Sequence, residues 1–316
     1  MRSMLANVVM VMCVAVLCGC GFTRNASAED AKKKVYFVAG GNSHEYGGHE
    51  HAAGCMLLAK ILNEKVPAID AVVYKGWPAA TDAFANAASI VIFCDGGGGH
   101  VAIPHMKEID EMTKKGVGFV CLHYAVEVPK GEPGDNFVRW MGGYFETFWS
   151  VNPHWTADFK EIPKHAITRG VKPFTTNDEW YYHMRFHENM EGVTPILTAI
   201  PPESTRAGKD DAHGGNQFVR ERKGQPEHVA WAFERADGGR GFGVTGSHVH
   251  WNWGQDDYRK LILNAIAWSA KIEIPENGIE STRPTVDQLM ENITKKVPAN
   301  FNKDDIQKKI EGMNTK

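Results

Sequence analysis

From residue 33 onward, short and continuously apolar runs alternate with segments whose apolar positions recur at helical spacing. Residues 35–39, the run within "AIDAVVYKGWP", the run within "SIVIFCDGGGG", and residues 117–122 are each bounded by Gly, Pro or Asp, and each is a predicted strand. Between the first two, Ala52, Cys55, Met56, Ala59 and Leu62 fall on one face of a helix expected to begin near Glu50. "PHMKEIDEMTKKG" has proline at its start and glycine at its end, the placement that helix termini favour. Buried strands alternating with helices predict an α/β domain whose mostly parallel sheet is covered on both faces.

After residue 150 the pattern changes. "HWTADFKEI" alternates like a half-exposed strand, and "DEWYYHMRF" is dense in aromatic rings. Residues 201–227 are polar and glycine-containing and read as a long surface insertion. "EHVAWAFE" and "GRGFGVTG" form an expected strand pair, and "DDYRKLILNAIAWSA" an amphipathic helix. The polar tail, 275–316, is expected to hold one short helix around "VDQLMENI" and then disorder.

Residues 1–28 read as a targeting segment: Arg2 precedes the apolar run "MLANVVMVMCVAVLC", too short for a comfortable membrane span. Two processing readings stand, a lipid-bearing Cys20 after "LCG" and cleavage after Ala28 in "ASA". Either exports the protein, to the periplasm or cell envelope of a bacterium, with membrane contact only through a lipid at Cys20. Three of the six cysteines belong to this leader. The other three, Cys55, Cys94 and Cys121, have apolar neighbours and no C-x-x-C spacing, which argues for buried thiols over a disulfide framework or thiolate metal site. The formal charge of −3 and the lack of a dense basic stripe exclude nucleic acid as the expected partner.

Three predicted strands run into "GGNSHE", "DGGGGH" and "LHYAVE". Ligands of open α/β sheets bind beyond the carboxyl ends of the strands, which directs His44, His100 and His123 toward one crevice. Of fourteen histidines, His44, His123 and His248 stand out because each lies just past a predicted strand in a glycine-rich setting. His49, His105, His165, His213 and His228 read as ordinary solvated side chains. Imidazole is the commonest ligand for zinc, so His44, His123 and His248 are the candidate ligands if a divalent metal such as zinc binds. "HEYGGHEH" lacks the H-E-x-x-H pattern, and ligands gathered from separate loops leave no spacing to read. Asp178 and Glu179 precede three aromatic residues, surroundings that suit a proton-transferring carboxyl. A surface turn is the competing reading, preferred for Asp178 and level for Glu179. Trp155, Trp251 and Trp253 offer either sugar-stacking faces or core. No G-x-S-x-G elbow, dinucleotide fingerprint or phosphate loop is present, so no nucleotide cofactor is expected.

Taken in order, "VYFVAGGNSHE", "IVIFCDGGGGH", "GVGFVCLHYAVE", "MGGYFE", "HAITRGVKPFTTNDEWYY" and "GRGFGVTGSHVHWNWGQDDYRKLILNAIAW" resemble the ThuA-like, trehalose-utilisation family, over about residues 33–271. The resemblance implies a flavodoxin-like three-layer sandwich related to class I glutamine amidotransferases. In those enzymes a cysteine follows the fourth strand and a histidine comes from a late G-x-H segment. Here His123 holds the first position, His248 matches the second, and Cys121 lies inside the strand, so thiol acyl transfer is not expected. The implied substrate is a small sugar, of the 3-keto-glycoside type. His123, Glu179 and His248 are then the candidate proton-transfer residues, and His44, Glu45, His100, Trp155, Tyr181, His250 and Trp251 the candidate substrate contacts. A metal-dependent amide or ester hydrolase and a non-catalytic carbohydrate-binding protein are the rival readings. The oligomeric state is not written in the sequence.

Overall fold

Period-two alternation along the strands sorts their side chains to two faces of one sheet. Val35, Phe37, Val91, Phe93, Val120 and Leu122 enter one apolar cluster, while Tyr36, Val38, Ile90, Ile92, Phe119 and Cys121 enter another. The computed structural model describes residues 31–315. The expected targeting segment, with Cys20 and Ala28, lies outside the described residues.

In chain order the elements begin β1 (Lys33–Ala39), α1 (His51–Lys65), β2 (Ile69–Lys75), β3 (Ala87–Phe93), α2 (Met106–Lys114), β4 (Gly118–Leu122) and α3 (Glu132–Met141). Next come β5 (Gly143–Tyr144), β6 (His154–Phe159), β7 (Phe174–Glu179), β8 (Arg185–Phe186) and β9 (Val193–Ala199). The chain finishes with α4 (Gln217–Glu221), β10 (Glu227–Glu234), β11 (Arg240–Val244), α5 (Asp256–Ser269), α6 (Val286–Met290) and α7 (Lys303–Asn314).

Seven strands form the central sheet in the order β2-β1-β3-β4-β11-β10-β9. The first five are parallel neighbours, and β10 runs antiparallel to both β11 and β9. Side chains of α1 and α5 fill one face and side chains of α2 and α3 the other. The fold is therefore the expected flavodoxin-like three-layer α/β sandwich, with β4 in its middle. β6 and β7 pair as a separate antiparallel hairpin. Among the described residues no helix is long and apolar enough to cross a membrane.

Two segments depart from expectation. Beyond α6 the tail is ordered: α7 buries Ile310 against Gly254, and Phe301 packs on Tyr46 and Trp251. A few apolar residues suffice there, because the surface they meet is already formed. The polar insertion 201–227 is anchored as well, since Arg206 is buried and donates to the carbonyl of Val219.

Candidate metal centre

Because β1, β3, β4 and β11 are consecutive and parallel, their carboxyl ends open on the same side of the sheet. The crevice between β1 and β3 is also where the strand order reverses, the usual place for a ligand in such sheets. His44 and His49 follow β1, Asp95 follows β3, His123 follows β4 and His248 follows β11. Glu179 arrives from outside the sheet, at the end of β7 and opposite His154 in the hairpin.

His123 leaves β4 in the left-handed backbone region, with φ of 55°, and His49 and Ser247 do the same at 48° and 94°. Non-glycine residues avoid this region, and such strain concentrates at functional sites. The sharp turn carries the His123 ring back over the strand ends, where it is wholly buried. Its Nδ1 lies 2.7 Å from the carbonyl oxygen of Thr245. A carbonyl only accepts, so Nδ1 carries a proton, and in the neutral ring Nε2 keeps a bare lone pair.

His49 repeats this arrangement. Its Nδ1 donates to Asp95 Oδ1 at 2.8 Å, and burial lowers its pKa to about 3 against the opposing pull of Asp95. The contact is thus a hydrogen bond from a neutral ring rather than an ion pair. The bare Nε2 of His49 faces the bare Nε2 of His123 at 2.9 Å.

Glu179 Oε2 lies 3.4 Å from His123 Nε2 and 3.0 Å from His248 Nδ1. Burial pushes the Glu179 carboxyl up, but the positive charge that the His123 and His248 imidazoles take on when protonated outweighs it and holds the carboxyl well below its ordinary value. Burial opposes charge on His248, yet Glu179 raises its pKa above the ordinary value. Although close to Glu179, the buried His248 Nδ1 forms no properly directed hydrogen bond. Tyr181, whose phenol burial keeps protonated, places its OH 3.3 Å from both His123 Nε2 and Glu179 Oε2. Asn152 Nδ2 donates to Glu179 Oε1 at 3.1 Å.

The ligand atoms of His49, His123, Glu179 and His248 all lie within 4.8 Å of one another. Two lone pairs in contact repel unless a proton or a metal ion lies between them. A ligand set of imidazoles and one carboxylate suits zinc and similar divalent ions. The outer bonds to Asp95 and Thr245 are also those that metal-bound histidines make to fix their tautomer. The four residues therefore fit a divalent cation.

The cluster corrects the sequence reading at several positions. His49, read as solvated, lies at its centre. His44, expected as a ligand beside His123 and His248, instead joins a second group with His49 and Asp95, its ring centroid 3.6 Å from that of His49. Glu45 is exposed nearby, and Tyr181 is brought in as expected. His100 is not: both its nitrogens are bound by the backbone of Ala125 and Ala102. His250 bonds to the carbonyl of Leu289 and anchors the tail. Trp155 is core, bonded to the carbonyl of Trp180. Trp251 is buried against Gly47, whose φ is +87° and where a Cβ would meet the indole at only 2.7 Å. Asp178 is no surface turn; wholly buried, it accepts from the backbone N–H groups of Ser247 and Val249 and from Asn252, gripping both sides of His248.

The family model for ThuA, trehalose utilisation, matches residues 35–269. The chain belongs to the ThuA family. A ThuA-like protein from Bacteroides uniformis is similar in structure at TM-score 0.51 and 14% identity, covering 78% of this chain and 94% of its own. A second, from Parabacteroides merdae, aligns at 0.50 and 14%, over 85% of this chain and 94% of its own. A glutamine amidotransferase from Thermotoga maritima aligns at 0.38 and 9%, over 76% and 96%. No curated protein matches the chain in sequence. Among the described residues, the cysteines of this ThuA-family chain are buried. Cys121 is fully buried on the face packed by α2 and α3, and burial raises its pKa well above the ordinary thiol value.

Proposed function

We propose that this ThuA-family protein is an exported enzyme that processes 3-keto-glycosides or related oxidised sugars, with a divalent cation held by His49, His123, Glu179 and His248. The observation that carries the cation is the 2.9 Å approach of two Nε2 atoms whose rings are both protonated at Nδ1. Family membership supports the sugar, and the leader supports export.

A ketone at C3 acidifies the neighbouring C–H. Removing that proton sends its electron pair to the ketone oxygen, and isomerisation or loss of a glycosidic group can follow. A bound divalent cation supplies positive charge opposite the oxygen where negative charge develops. Thr245 and Asp95 hold the two rings in the tautomer that keeps Nε2 free. Asn152 and Tyr181 steady Glu179, and the three histidines beside it are buried. Engaged in this way, His123, Glu179 and His248 hold charge in place and are not free to carry protons.

The test incubates the mature protein with a panel of 3-keto-glycosides and their parent glycosides, with and without zinc or manganese, and reads products by mass spectrometry. Metal-dependent conversion of the keto forms alone is expected. Hydrolysis of amide or ester probes instead would redirect the site to a metal-dependent hydrolase. Sugar binding without turnover, surviving His123→Ala, would make the protein a carbohydrate-binding module.

A further inference from the structure

If the four cluster residues are occupied as ligands, the proton must be taken by another group, and the fold places one beside them. Glu127 follows the single turn that begins at His123, and it is buried. Its carboxylate oxygens lie 3.1 and 3.0 Å from Nε2 of His213, and among the described residues no other side chain bonds to them. His213 comes from the polar insertion and is about one-third exposed, at 35%.

The insertion is tied down around this pair. Phe148 N donates to Ala212 O at 2.9 Å, Asn152 N to His213 O at 3.1 Å, and Asn216 Nδ2 to Trp149 O at 3.0 Å. Asn152 thus fixes the His213 backbone while its side chain steadies Glu179. The Phe145 ring bridges the two places, 5.4 Å from His213 and 5.3 Å from Tyr181 between centroids. With Nε2 held by Glu127, the Nδ1 of His213 makes no hydrogen bond within the described protein.

We propose that His213, oriented by Glu127, is the proton-transferring residue of this site. The inference rests on the reading above. Neutral His213 takes the proton from the carbon beside the ketone through Nδ1, and the C–H electron pair moves onto the ketone oxygen. The resulting imidazolium is paired with the Glu127 carboxylate. It returns the proton to the former ketone carbon, while the hydroxyl proton of the neighbouring carbon passes to the enolate oxygen, giving the isomer. Alternatively, it gives the proton to the departing glycosidic oxygen as the C–O bond breaks, giving elimination. A carboxylate orienting an imidazole whose far nitrogen meets the substrate is a recurrent acid–base arrangement. The bond to Glu127 raises the His213 pKa above its ordinary value against the opposing effect of burial, with Asp211 on the same loop and Glu179 across the site adding in the same direction. Glu127 is the positioning residue.

The test follows exchange of the acidic C–H of methyl 3-keto-α-glucopyranoside for deuterium, by NMR in heavy water across pH. Wild type should exchange it. His213→Gln should lose roughly 10²-fold in exchange rate, with its metal content and KM unchanged. Glu127→Gln removes the charge that favours the imidazolium, so the limb on which the rate rises with pH should move to lower pH. His213→Gln exchanging at the wild-type rate would overturn the inference while leaving the proposed function standing. No exchange by wild type would overturn both. Should His213→Gln lose metal or fold, the Glu127→Gln profile decides, and an unmoved limb overturns the inference.

Discussion

His49 and His123, which are separated by 74 residues in sequence, point bare Nε2 atoms at each other across 2.9 Å while each Nδ1 is bound to an acceptor. Neither ring can relieve the contact by switching tautomer, since that would place Nδ1 lone pairs against the Asp95 carboxylate and the Thr245 carbonyl. Glu179 supplies negative charge beside the pair, and the backbone at both histidines is left-handed. The protein holds four electron-rich atoms together at the cost of backbone strain, which fits a site completed by a cation.

Asp95 holds the Nδ1 side of His49, whose Nε2 faces the cluster. Asp95→Asn keeps the shape but can present an amide N–H to His49 Nδ1, favouring the wrong tautomer. Zinc affinity, measured by competition with a chromogenic chelator, should fall by about 10–100-fold. Unchanged affinity would remove Asp95 from the account.

Asp178 fixes the segment that carries His248. Asp178→Ala would leave the buried backbone N–H of Ser247 without a partner, costing about 1–3 kcal/mol, and would also free the part-buried N–H of Val249. Urea unfolding should show a loss of at least that size, and zinc affinity should fall with it. A variant as stable as wild type would contradict this anchoring role.

Legibility followed locality. Six of the seven main-sheet strands and helices α1, α2 and α5 were visible because each repeats its own apolar period over several residues, whereas β9 and α3 were not read. His123 and His248 were visible because each sits just beyond such a strand, and Glu179 because aromatic rings follow it. His49 was missed: its loop spacing resembles no helical metal motif, and only the folded crevice shows that it, rather than His44, points inward. His213 was missed for a similar reason, since a polar insertion looks the same whether it lies in solvent or caps a buried carboxylate. Glu127 did leave a trace, as an acid in the loop directly after the central strand. The tail helix α7 was hidden because Ile310 alone is buried along it.

Glu146 ties the β5–β8 region together through Arg185, Lys130 and Tyr144. Burial would raise its pKa, but these partners outweigh it and hold the carboxyl at about 2, against an ordinary 4.5. A depressed folded value gives stabilisation that is complete above the unfolded pKa and is lost as pH falls toward 2. Melting temperature should therefore drop more steeply between pH 4.5 and pH 2 in wild type than in Glu146→Gln. Parallel curves would show that the carboxylate contributes nothing.

Cys55, Cys94 and Cys121 are buried, and burial raises the pKa of each thiol. Iodoacetamide should leave all three unlabelled in the native protein and label them in urea, as read by peptide mass spectrometry. His123→Cys should not hydrolyse glutamine. Native labelling of Cys121, or glutaminase activity in that variant, would reopen the thiol route.

The central claim is that His49, His123, Glu179 and His248 together hold a divalent cation. Calorimetric titration of chelator-treated protein with zinc tests it most directly, comparing wild type with His49→Ala and His44→Ala. One zinc per chain is predicted for wild type, with binding abolished in His49→Ala and retained in His44→Ala. No saturable zinc binding by wild type, or equal binding by wild type and His49→Ala, would contradict it.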